Sequence, residues 1–93
     1  MNGAITLPKS ERVVQTLPLF KVVLHNDDKN TVDHVVRVLI ELTPLNELDA
    51  VARTIEAHET GCAVVLVTHQ ERAELYVEQF ASYSLTATCE PDA

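Results

Sequence analysis

The chain has 93 residues, 46% of them hydrophobic, with 7 Lys plus Arg against 14 Asp plus Glu and a formal net charge of −7. That length makes one domain with a small core; a deep cleft around a large cofactor would not fit, whereas a groove or a one-side-chain pocket would. The acidic balance repels phosphate backbones and anionic membranes, which argues against nucleic acid or membrane partners and for cationic ligands or basic surfaces.

Residues 1–18 mix Gly3, Pro8 and Pro18 with small and charged residues and show no period, which predicts a flexible N-terminal extension before a core of residues 19–93. Leu19 to His25 is β-rich and runs into the loop formers Asn26-Asp27-Asp28, so a strand is expected there. From Val32 to Leu42 the residues Val32, Val35, Val36, Leu39 and Leu42 recur at helical spacing, blurred by Val38 and Ile40. Thr43-Pro44 stops that helix, because the residue before a proline is pushed out of helical space.

Asn46 then caps a second helix, whose buried face is expected to carry Leu48, Val51, Ala52 and Ile55, and Gly61 fits its C-terminal cap. Cys62 to Val67 reads as a buried strand; its apolar run from Ala63 is far too short to span a bilayer. Thr68-His69-Gln70-Glu71 has the form of a capping box opening a third helix, with Ala73, Tyr76, Val77, Phe80 and Ala81 on one face. Leu85 to Cys89 reads as a last strand before an acidic tail from Glu90. The sum is an α+β fold, a three-stranded antiparallel sheet with three helices packed on one face.

Few residues invite chemistry. Asn26-Asp27-Asp28 is either a plain turn or a cation site, in which two carboxylates and an amide oxygen receive an ammonium group. His58 lies close to the apolar face near the end of the second helix, a place for a helix-end or interface histidine more than for a catalyst. His25, His34, His58 and His69 show no ligand spacing, Cys62 and Cys89 form no CxxC, and no nucleophile motif occurs. No enzyme, metal or cofactor is therefore expected. With no signal peptide, two reduced cysteines in a cytosolic protein are the expectation.

In order, Phe20-Lys21-Val22-Val23-Leu24-His25-Asn26-Asp27-Asp28, His58-Glu59-Thr60-Gly61, Gln70-Glu71-Arg72-Ala73-Glu74 and the closing strand with Leu85 and Glu90 resemble the ClpS adaptor family over Leu19 to Glu90. The resemblance implies a bacterial cytoplasmic or plastid-stromal adaptor, a monomer, that binds proteins beginning with a bulky hydrophobic residue (an N-degron) and delivers them to the unfoldase ClpA or ClpC working with ClpP. It implies that Asn26, Asp27 and His58 hold the substrate α-amino group, that Asp28 supports the loop, and that Leu24, Val32, Val35, Thr54, Ala57 and Leu85 line the side-chain pocket. It places the unfoldase contact on Glu71, Glu74 and Tyr76, and gives the extension a part in hand-off.

The chain departs from the family at three places. Lys29-Asn30-Thr31 stands where Tyr-Thr-Pro is common, Tyr76 where many members have a lysine, and Thr54 and Val32 where better-known bacterial members have methionines. The last departure predicts acceptance of Leu and Phe, with Tyr or Trp as further candidates, and relaxed discrimination against Ile and Val. Three other readings compete. One is an interaction domain of the same architecture, as in the C-terminal domain of the ribosomal stalk protein. Another is an adaptor that binds the unfoldase without N-degrons, and the last is a metal-dependent hydrolase built on Asp27, Asp28 and His58.

Overall fold

A computed structural model describes residues 17–92, so nearly all of the N-terminal extension expected from the sequence lies outside the described residues. The elements run β1 (Leu19–His25), α1 (Val32–Leu42), α2 (Glu47–Thr60), β2 (Cys62–His69), α3 (Gln70–Ser82) and β3 (Ala87–Pro91). The sheet order is β2-β1-β3, and β1 is antiparallel to both neighbours. This is the α+β fold expected, with helices on one face of a three-stranded sheet.

β1 is central, so its residues are shielded from both sides and Val22, Val23 and Leu24 are buried in succession. Val22 and Leu24 point into the core with Ala63 and Val65 of β2, Val38 and Leu39 of α1, Ala50 and Ala57 of α2, and Ala73 and Phe80 of α3. The pairing slips between Val22, opposite Leu66, and Val23, opposite Val64, leaving Val65 as the extra residue of a β-bulge turned into the core. The other sheet face carries cross-strand polar pairs, Lys21 with Glu90 (3.4 Å) and His25 with Thr88 (2.7 Å).

The boundaries and faces correct the sequence reading at several points. β2 alternates instead of being buried throughout: Ala63 and Val65 face in while Cys62, Val64 and Val67 are exposed, as befits an edge strand covered on one face. It also runs on to His69, because Phe20 and Leu19 of β1 pair with Thr68 and His69. Thr68 is thus a strand residue, His69 takes the N-cap position without a side-chain bond, and the expected capping box does not form.

The apolar face expected for α2 is its outer one. Leu48 is 78% exposed and Ile55 45%, while Ala50, Thr54 and Ala57 are buried. These small side chains let the helix backbone come close to β2 and α1, and the Thr54 hydroxyl donates to the Ala50 carbonyl at 2.8 Å, satisfying its polar atom within the helix. On α1, Val38 is buried with Leu39, whereas Val32 is 49% exposed. On α3, Ala81 is exposed. β3 begins two residues later than expected and takes in Glu90 and Pro91, since residues 83–84 form the turn that ends α3 and residues 85–86 lead out of it.

Candidate functional site

One end of the sheet is where the loop after β1, the start of α1, the end of α2 and the segment before β3 converge. Backbone bonds fix this junction. The Asn26 amide donates to the Gly61 carbonyl and the His25 amide to the Thr86 carbonyl, each at 2.9 Å. Gly61 caps α2 at φ 99°, and its amide donates to Ala57. A Cβ there would meet nothing within 4 Å, so the backbone conformation, not space, calls for glycine. On the loop's far side, the Thr31 hydroxyl accepts from the His34 amide and starts α1.

The junction encloses a pocket of ≈ 210 Å³. Its lining brings together Leu24, Val32, Val35, Thr54, Ala57 and Leu85, the six positions that the family resemblance implies for a side-chain pocket. Leu24, Thr54, Ala57 and Leu85 are buried, Val35 is half-buried and Val32 sits exposed at the edge. With its hydroxyl tied to Ala50, Thr54 has no free donor to offer a ligand. Asn26, Asp27, Asp28 and His58 line the same pocket and supply its polar part.

Asp27 is the most constrained of these. Its Oδ1 accepts from the Lys29 and Asn30 amides, both at 3.0 Å, and from Asn30 Nδ2 at 3.1 Å, while Oδ2 accepts from Asn30 Nδ2 at 2.9 Å. Burial is the largest single influence on this carboxyl and opposes ionisation. The Asn30 side chain, the Asn30 and Lys29 amides and the Lys29 charge together outweigh it, and hold Asp27 below the usual aspartate value. The result is a fixed carboxylate with acceptor capacity left on Oδ2, beside an apolar recess. Such a site can take a ligand with a compact cation next to a hydrophobic group.

Two lining residues, His25 and Asn30, were not among those picked out from the sequence. Asn30 has no signal of its own as a single polar residue in a loop; its offset of three residues from Asp27 is the only hint.

A second, more open groove runs along α3, lined by Thr68, His69, Glu71, Arg72, Glu74, Leu75 and Glu78. Glu71 and Glu74 are exposed there, and Gln70 donates to Glu74 at 3.2 Å. Tyr76 is not part of this groove; it is half-buried, its ring 6.2 Å from that of Phe80. Among the described residues no group of three or more His, Cys, Asp or Glu is placed to hold a metal ion. Cys62 and Cys89 are free thiols, and no helix among the described residues is long and apolar enough to cross a membrane.

Comparison with known proteins bears on this pocketed fold. A family model described as "ATP-dependent Clp protease adaptor protein ClpS" matches residues 15–88. The ATP-dependent Clp protease adapter protein ClpS of Synechococcus sp. (strain CC9902) is 44% identical, over 98% of this chain and 89% of its own length. A chloroplastic Clp protease adapter protein of Chlamydomonas reinhardtii is 43% identical over 87% of this chain, which spans 51% of that longer protein. Among solved structures, Agrobacterium tumefaciens ClpS2 bound to L-phenylalaninamide superposes with a TM-score of 0.73 at 32% identity, covering 81% of this chain and 98% of that one. The family match over residues 15–88, 44% identity over nearly the whole chain and the superposition of the fold converge, and the chain belongs to the ClpS family of Clp protease adaptors.

Proposed function

We propose that this chain binds the free N-terminus of proteins that begin with a bulky hydrophobic residue, and delivers them to a ClpA- or ClpC-type AAA+ unfoldase partnered with ClpP. The observation that carries the reading is the junction of an ionised, multiply hydrogen-bonded Asp27 with an apolar recess in a single pocket. The free start of a polypeptide is the one place where an ammonium group sits beside a single side chain. The solved relative bound to L-phenylalaninamide supports the same pairing, since that ligand is an amine next to a benzyl group.

In this reading Asn26, Asp27 and His58 take the α-amino group, Asp28 supports the loop, and the recess buries the first side chain. Charge-assisted hydrogen bonds contribute about 1.5–3 kcal/mol each, and burial of one Leu or Phe side chain about as much. Together these reach roughly −8 kcal/mol, a micromolar affinity that permits hand-off. Leu and Phe are the preferred first residues, with Tyr and Trp further candidates. The short Val32 and Thr54 side chains leave room for the branched Cβ of Ile or Val. Glu71 and Glu74 on α3 form the unfoldase contact, to which Tyr76 contributes from beneath by packing the helix. The protein works without a cofactor, as a monomer, in a bacterial cytoplasm or a plastid stroma, where its cyanobacterial and chloroplastic relatives point.

Amide chemical-shift mapping with a Leu-initiated peptide tests the placement. The largest shifts are expected at residues 24–32, 54–58 and 85, with the α3 groove unmoved; shifts concentrated on Glu71 to Glu78 would contradict this placement.

A further inference from the structure

One polar contact set at the pocket does more than the amine reading asks of it. Asn30 Nδ2 carries two hydrogens and has three acceptors in range: Asp27 Oδ1 at 3.1 Å, Asp27 Oδ2 at 2.9 Å and the Ser84 carbonyl at 2.8 Å. One hydrogen is shared between the carboxylate oxygens while the other crosses to Ser84.

Ser84 occupies a special place. α3 ends in a Schellman turn, with the Leu85 amide donating to Phe80 at 3.0 Å and the Ser84 amide to Ala81 at 2.9 Å. Ser84, at φ 68°, is the only non-glycine residue with positive φ among the described residues. The carbonyls of this turn face the start of α1: Tyr83 O accepts from His34 Nε2 at 2.9 Å, and Ser84 O from Asn30. The next residue, Leu85, is an apolar wall of the pocket and 3% exposed. One side-chain amide therefore links the anionic part of the pocket to the segment that carries its hydrophobic wall.

We infer that Asn30 is a positioning residue of the peptide site: it holds the Asp27 carboxylate in place and fixes the Leu85 wall relative to it. The inference rests on the reading of the pocket as an amine site. Asparagine suits the task because a single nitrogen offers two donors. A threonine hydroxyl has one, enough for Asp27 but not for Ser84 as well.

The experiment uses the full chain, wild type and the variants Asn30→Ala and Asn30→Thr. Two readouts are taken, Asp27 carboxyl titration by NMR without peptide and affinity for a Phe-initiated peptide and its acetylated twin. The other titratable groups around the pocket are His25 from β1, Asp28 and Lys29 from the loop, His34 from α1 and His58 from α2; all are common to the three proteins, so differences report on Asp27.

Asn30→Ala is expected to raise the Asp27 titration midpoint and weaken free-amine binding about tenfold or more, moving the acid limb of binding to higher pH. Asn30→Thr is expected to restore the midpoint while leaving part of the affinity loss, because the Ser84 link stays broken. Amine-dependent binding that is within twofold of wild type in Asn30→Ala, or an unmoved Asp27 midpoint, overturns the assignment of Asn30 alone. Should Asn30→Ala fail to fold, Asn30→Thr with full wild-type affinity does the same. Wild-type binding indifferent to acetylation overturns the amine reading itself, and this inference with it.

Discussion

At the scale of single residues the decisive group is Asp27, because its environment fixes both its charge and its direction. Four contacts from Lys29 and Asn30 favour the carboxylate over the acid and outweigh the opposing effect of burial. A carboxyl whose folded value lies below its unfolded one stabilises the fold fully above the unfolded value, about pH 3.9 for aspartate, and loses that contribution as pH falls through the folded value. Asp27→Asn should therefore flatten the loss of thermal stability below about pH 4, and leave stability at pH 7 lower than wild type. Melting curves from pH 3 to 7 check this, and an unchanged acid limb would show that the loop contacts do not hold the charge. The run Asn26-Asp27-Asp28 was legible in the sequence as a possible cation site because carboxylates after a strand are a local signal. The Asn30 contribution was not, since its partners at Asp27 and Ser84 meet only through the tertiary fold.

At the scale of elements, hydrophobicity named the helices but not always their faces. α2 buries Ala50, Thr54 and Ala57 and exposes Leu48, since close approach to β2 and α1 rewards small side chains over large ones. Leu48→Ser should change stability by no more than about 0.5 kcal/mol, whereas Ala50→Leu should destabilise by about 1–3 kcal/mol through overpacking. Urea unfolding of the two variants checks the assignment, and the reverse ranking would restore the face the sequence suggested. Most boundaries were legible because their signals are local: Asn46 accepts from Asp49, Gly61 closes α2 in the left-handed conformation, and the apolar period placed the start of α1, where Thr31 proves to cap the helix by accepting from His34. Two were not. The continued pairing of Thr68 and His69 with β1 overrode a local capping motif, and the αL residue Ser84 delayed β3 without the glycine that usually marks such a turn.

At the scale of the molecule, the two candidate surfaces lie at opposite ends of the sheet. The pocket gathers where His25 pairs with Cys62, and the α3 groove begins where Leu19 pairs with His69. Six residue steps along β1 at roughly 3.3 Å each put about 20 Å between them, so a peptide and a folded partner can be held together without competing. Charge reversal at Glu71 and Glu74 to lysine should accordingly abolish unfoldase binding while leaving peptide affinity within twofold; a matching loss of peptide affinity in titrations of both ligands would mean the surfaces are one. The expected fold was recovered at this scale because the order of strands and helices in so short a chain leaves few ways to cover one sheet face. The central claim, that the pocket reads a free N-terminus, is tested most directly by fluorescence anisotropy of a Leu-initiated peptide against its acetylated twin. Micromolar binding that disappears on acetylation and in Asp27→Ala is the expected result, and binding that survives acetylation would contradict the claim.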